Sequence, residues 1–156
     1  MSAFVVLPLS HQITAEVRAS RRAPVYGHPV HEELAGGTGP CRECLRPFVV
    51  GAEERLLFTY SPFDGQSTLP QPGPVFIHAT SCSPHDGAGF PEGLRSIPLV
   101  AQPYHRDGTV GAPVALPAYG EDAVIERVLG VPSVTFVFLR HAEAGCFIAR
   151  AQRVAT

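Results

Sequence analysis

The spacing of apolar and polar positions along this 156-residue chain changes several times, and each change marks an element. Phe4-Val5-Val6-Leu7 is an unbroken apolar run stopped by Pro8 and reads as an opening strand. Ile13 and Val17, four residues apart, predict a short helix running to about Arg18, with Ser10 as its N-cap. Glu54–Tyr60 reads as a strand, and Val75–His78 as another, entered through the turn-rich stretch Pro62–Pro74. His78 therefore falls at a strand's end. Ile97–Tyr104 and Thr109–Leu116 flank Asp107-Gly108, a dipeptide suited to the positive-φ positions of a hairpin, so these two segments are expected to pair antiparallel. Glu121–Leu129 carries Val124, Ile125, Val128 and Leu129 on one helical stripe, has Glu121 and Asp122 in its first turn, and stops at Gly130 and Pro132. That stripe requires a sheet to cover it. Ser133–Arg140 and Cys146–Val154 are further strands, joined through the short loop 141–145 into a second hairpin.

Between these elements, Ala19–Pro40 shows neither period and is punctuated by Pro24, Gly27, Pro29, Gly36, Gly37, Gly39 and Pro40. It is expected to be a long irregular and mobile segment. Strands outnumber helices and do not alternate regularly with them. This points to the α+β class: a mainly antiparallel or mixed sheet with one or two short helices, in a single layer of helix on sheet. The length suits a single domain over residues 1–156, and 45% apolar composition supplies a core.

Charge and composition then remove several functions. A net charge of −2 with interspersed signs gives no reason to expect nucleic acid or an anionic bilayer as partner. The longest apolar run, near Val131–Leu139, is broken by Pro132, Ser133 and Thr135 and falls short of the ~20 residues of a membrane span. The N-terminus lacks the basic and apolar regions of a signal peptide, so the expected location is cytoplasmic, where cysteines serve as thiols or metal ligands. All 12 basic residues are arginines. Without lysine there is neither Schiff-base chemistry nor a Walker-A phosphate site.

Three of the four cysteines lie in two tight pairs, Cys41-x2-Cys44 and His78-x3-Cys82, with 33 residues between the pairs. A tetrahedral Cys3His zinc site needs this ligand set, and each pair can wrap an ion from one turn. The competing reading is a buried thiol cluster, because free cysteine packs as a small hydrophobe. Cys41-x2-Cys44 as a redox pair lacks its frame: glycines and Pro40 precede it, and Pro47 follows soon after. Cys146 is the remaining thiol and a candidate nucleophile with His141 as its base, or a substitute ligand for His78 or Cys82. Its bland alternative is a core-facing residue beside Ile148. His78 is the other catalytic candidate, in a pocket near Cys41 and Cys146.

The chain resembles the bacterial domain of unknown function 1203 family. The likeness rests on Gly39-Pro40-Cys41-Arg42 with Leu45-Arg46, and on Gly73-Pro74-Val75-Phe76-Ile77-His78-Ala79 with Cys82. It continues through Leu94-Arg95, Tyr104 with Asp107-Gly108, the helix around Ala123–Arg127, and Gly145-Cys146-Phe147, so that it spans about residues 39–153. The resemblance implies a single small domain and carries over no activity, cofactor or catalytic residue. His141 stands where that family's pattern has an amide side chain, which argues against a catalytic role for it.

The other polar groups read as solvated. His85-Asp86 and His105 sit in turns, while His28 and His31 with Glu32 and Glu33 lack a helical frame to align two imidazoles. Arg18, Arg21 and Arg22 form a basic face, or a contact for an acidic partner. Three functions stay open: a binding or structural protein holding a metal or thiol cluster, a cysteine- or metal-dependent enzyme, and a module for a protein partner or small molecule.

Overall fold

The computed structural model describes residues 4–37, 39–62, 73–86 and 89–154. The elements are β1 (Phe4–Leu7), α1 (His11–Ser20), β2 (His31–Leu34), β3 (Glu54–Tyr60), β4 (Gly73–His78), β5 (Leu99–His105), β6 (Val114–Ala115), α2 (Glu121–Leu129), β7 (Val134–His141) and β8 (Phe147–Arg153). They form two antiparallel sheets, one of five strands in the order β1-β8-β7-β5-β6 and one of three in the order β2-β3-β4. The class is α+β, mostly sheet. No helix among the described residues is long and apolar enough to cross a membrane.

The period-2 pattern of β7 sets the larger sheet. Val137 and Leu139 are fully buried and join Ala101, Ala149 and Ala151 in one core with the α2 stripe of Val124, Ile125, Val128 and Leu129. Small residues on β8 let the helix approach closely, and Ile125, Leu139 and Ile148 each contribute on the order of 1.5–3 kcal/mol by leaving water. The alternate residues face the other way, where Tyr104, Phe138 and Phe147 form a separate aromatic cluster with Phe136 and Tyr60. The turn between β5 and β6 has Gly108 at φ 89°, and Tyr104 bridges Val110 across it, as the Asp107-Gly108 pair predicts.

The three-stranded sheet has its own core, with Leu56, Phe58, Val75 and Ile77 from the sheet, Val17 from α1, and Cys41 and Cys44 from the connecting loop. Three expectations need correction in this half. Ala19–Pro40 is not irregular throughout, because it contains β2, whose residues pair with Glu54–Leu57 of β3. That strand escapes a hydrophobic-pattern reading because His31-Glu32-Glu33-Leu34 lies at a sheet edge and buries none of its side chains; charged side chains suit such an edge. The Ser10 hydroxyl makes no cap bond to α1. Arg18 is not part of a solvated basic face: its guanidinium is turned inward, while Arg21 pairs with Glu32 and Arg22 binds the Gly27 carbonyl. The turn-rich loop expected over Pro62–Pro74 lies largely outside the described residues, and its last two positions already belong to β4.

Candidate metal centre

Pro40 and Pro47 bridge antiparallel and close a tight turn over residues 41–46. Inside it, the Leu45 N–H donates to the Cys41 carbonyl, and the Cys41 N–H donates to the Arg46 carbonyl. Leu45 takes a left-handed conformation, φ 58°, which glycine would adopt with less strain. Leucine is needed for a different reason. Its side chain is fully buried in the core beneath the five-stranded sheet, so it anchors the turn across the molecule.

Gly93 supports the turn from behind. A Cβ built there would lie 2.7 Å from the Leu45 carbonyl oxygen and 3.0 Å from the Arg46 Cα, both backbone atoms without freedom to move aside. Gly93→Ala is expected to destabilise the protein by about 1–3 kcal/mol through overpacking and to loosen the cysteine turn. Denaturant unfolding measures the first effect. An unchanged midpoint would mean that the turn is not held at this point.

The turn presents Cys41 and Cys44 to the end of β4. The His78 N–H donates to Cys41 Sγ at 3.4 Å, and the chain beyond β4 returns Cys82 to the same place. The ligand atoms of Cys41, Cys44, His78 and Cys82 all lie within 4.8 Å of one another, in a site that buries the first three and half-buries Cys82. Cys41 Sγ is 3.8 Å from Cys82 Sγ, and Cys44 Sγ is 3.6 Å from His78 Nδ1. Two thiolates bound at about 2.3 Å in a tetrahedron stand about 3.8 Å apart, and a thiolate and an imidazole nitrogen about 3.6 Å apart. Both separations suit one small ion in the middle.

The other nitrogen of the imidazole is also engaged. His78 Nε2 lies 3.1 Å from Oε2 of Glu53, the carboxylate–imidazole arrangement that fixes the orientation of a ligating histidine. Cys82 is flanked by Glu43, a fully buried carboxylate that accepts from His11 Nδ1 at 2.8 Å, Thr14 Oγ1 at 2.8 Å and Arg18 Nη1 at 2.7 Å. His11, Thr14 and Arg18 are spaced three and four apart, so one face of α1 is docked on this carboxylate. Arg18 also donates from Nε to the His78 carbonyl and from Nη2 to Cys82 Sγ, at 3.0 and 3.7 Å. Burial alone would raise the Glu43 pKa; the bonds from His11, Thr14 and Arg18 outweigh it and hold the carboxyl below its ordinary value.

Crowding three sulfurs divides their proton affinities. Hydrogen bonds from Cys41 and Cys82, with help from Arg46, push Cys44 far below the usual thiol range. Cys41 is raised chiefly by Cys44, and Cys82 is raised by Cys41 and Cys44. Ionising one of the three thiols thus opposes ionising the next, because a second negative charge would face the first at close range. A divalent cation among them reverses that repulsion and lets all three ionise. Soft sulfur ligands with one imidazole match zinc in donor type and geometry. Four protein ligands also fill a tetrahedral shell.

Cys146 does not join this group. It is half-buried, its sulfur lies 3.2 Å from Nη2 of the buried Arg42, and it belongs to none of the core clusters. No hydrogen bond joins His141 to its sulfur; His141 Nδ1 accepts from the N–H groups of Glu143 and Ala144 within its own turn. His28 and His31 do not form a cluster: His28 Nδ1 contacts the Pro29 carbonyl oxygen, and His31 Nε2 lies 3.7 Å from Glu33. His105 bonds Ser133 Oγ. His85 is not a solvated turn residue, for its Nε2 is buried without a hydrogen-bond partner among the described residues and burial lowers its pKa. The redox reading loses its frame as expected, since Cys44 is followed by the Pro47 bridge and not by a helix. Sequence reasoning missed Glu43, Glu53 and the inward turn of Arg18, which are charged residues with no pattern to set them apart from the surface.

Neither a curated protein nor a solved structure matches the chain. A family does match, over the stretch that contains all four gathered ligands and every strand from β3 onward: across residues 38–153 the chain fits the model described as protein of unknown function (DUF1203), and it belongs to that family.

Proposed function

We propose that Cys41, Cys44, His78 and Cys82 hold one zinc ion in a closed structural site, and that this is a zinc-stabilised binding or scaffolding protein, with no reaction at the metal. The observation that carries this reading is the pair of ligand separations, 3.8 Å between sulfurs and 3.6 Å from sulfur to imidazole nitrogen, with Glu53 on the far side of the ring. Four protein ligands leave no position for a reacting water, which favours structure over catalysis. A second reading, a thiol enzyme at Cys146, is favoured by the Arg42 guanidinium beside that sulfur. It lacks a base: among the described residues no imidazole or carboxylate hydrogen-bonds to Cys146 Sγ.

Elemental analysis of protein purified without chelator is expected to give one zinc per chain. Thiol titration of the same sample is expected to show one reactive cysteine, Cys146, with the other three appearing only after denaturation in chelator. Replacement by cobalt should produce the intense visible absorption of a tetrahedral thiolate site. A metal-free protein in which all four thiols react together would overturn the assignment.

A further inference from the structure

A cleft of about 220 Å3 lies between the aromatic face of the five-stranded sheet and the start of α1, remote in role from the cysteine cluster. Leu7, Ile13, Tyr60, Phe138 and Phe147 are among its walls, and among the described residues Arg150 is the one charged residue lining it. The register explains this floor. Arg150 on β8 lies between Phe138 of β7 and Leu7 of β1, and Phe138 lies between Arg150 and Gln102 of β5. The cation therefore lies between two apolar side chains, Leu7 and Phe138, on the sheet face that α2 does not cover.

Arg150 is held in place but left with its charge unanswered. Its guanidinium stacks 3.9 Å from the centre of the Phe136 ring, and Nε donates to Gln152 Oε1 at 3.0 Å. No carboxylate among the described residues pairs with it, although Arg18, Arg21, Arg55 and Arg95 show that this chain places acids beside arginines elsewhere. Neither Nη atom has a partner among the described residues, and Arg150 is one of the residues lining the cleft, so its donors are open to a ligand there. Burial disfavours its charged form, and an anion delivered to the fork would relieve that cost.

We infer that this cleft binds a small organic monocarboxylate with an aromatic or short aliphatic body, its carboxylate on the Arg150 fork and its body against Phe138, Leu7 and Ile13. The geometry favours a carboxylate over a phosphate, because one planar guanidinium matches a single planar anion, and among the described residues Arg150 is the one cation on these walls to balance a charge. Size argues for one ring or a short chain, since ligand pockets for larger molecules run from roughly 300 to 1,000 Å3. The N-terminus of α1, which has neither a side-chain cap bond nor an acid in its first turn, opens beside Ser10 and Ile13 on the rim and reinforces the positive potential.

The test uses the full chain, labelled with nitrogen-15, titrated with phenylacetate and, separately, with its neutral amide. Saturable shifts centred on Leu7, Ile13, Phe138 and Arg150 are expected for the acid, with a dissociation constant on the order of 1 mM or tighter. The amide is expected to bind at least tenfold more weakly, and Arg150→Gln to weaken the acid by a similar factor. Leu7→Glu, at a partly exposed position paired with Arg150, should supply the anion internally and abolish binding in a folded protein. Equal binding of acid and amide, undiminished binding in either variant, or no saturable shift up to about 10 mM would overturn the assignment.

Discussion

Stripping the metal with a strong zinc chelator at neutral pH is expected to unfold the half of the molecule built on β3 and β4, and to remove stability comparable with the whole folding free energy. The magnitude follows from comparing two quantities. Structural zinc in small sites is worth about 10–16 kcal/mol at neutral pH, and domains as a whole are stable by about 5–15 kcal/mol. The three-stranded sheet is poorly placed to survive alone, because β2 is short and exposed and the core behind it includes Cys41 and Cys44 themselves. Cys41→Ser should reproduce the chelator's effect, since that sulfur both faces Cys82 and accepts the His78 N–H. Cys146→Ser, outside the cluster, should melt with the unaltered protein. Thermal unfolding by circular dichroism reads all three. A chelated protein melting within about 2 °C of the loaded one would leave the site with no structural role, since 1 kcal/mol alone shifts the midpoint of a domain this size by several degrees.

The second large effect is expected from Glu43→Ala. The carboxylate is fully buried, and the Arg18 side chain that answers it is only 11% exposed, so the substitution leaves a guanidinium in a place that water barely reaches. Breaking a buried pair from one side costs about 3–5 kcal/mol, more than the attraction of the pair is worth, because the remaining charge loses its compensation. Thr14 and His11 lose their acceptor at the same time, which frees the docked face of α1. Denaturant unfolding should register the loss. Replacing both partners, Glu43→Leu with Arg18→Leu, should recover part of it if the penalty is electrostatic. A double variant as damaged as the sum of the singles would instead assign the loss to packing. Zinc affinity should fall about 10- to 100-fold in Glu43→Ala, as for other residues that support a ligand from behind.

The parts of the fold legible in the sequence were those with a clean period. β3 and α2 lie at the expected positions because their apolar residues repeat at two and at 3.6 and are bounded by strong stops. β2 was illegible for a physical reason, as a charged edge strand is specified by its backbone ladder with β3 and not by burial. The cysteine cluster was legible as two pairs, and the pairing of β3 with β4 is what closes the gap between them: Arg55 lies opposite His78, so the short stretch from Cys44 to β3 starts beside the end of β4. Cys146 and His141 lie close along a hairpin, yet the hydrogen bonds made by each run elsewhere: His141 Nδ1 accepts from its own turn and the sulfur lies beside Arg42. Arg150 drew no notice, since a cation without an acid among the described residues has no signature until its neighbours are known.

The two residues between Cys41 and Cys44 set this centre apart from a zinc finger. Arg42 reaches from the turn to the Phe147 carbonyl and Cys146 at the five-stranded sheet, and Glu43 reaches the opposite way to α1. In a portable finger those positions point to water, and the motif can be grafted wherever a loop permits. Here a transplanted turn would carry a buried cation and a buried anion into a host that answers neither. The centre is thus a keystone and not a cassette: its two spacer residues are as restricted as its ligands, and borrowing it for another scaffold would require borrowing α1 and the β7–β8 hairpin as well.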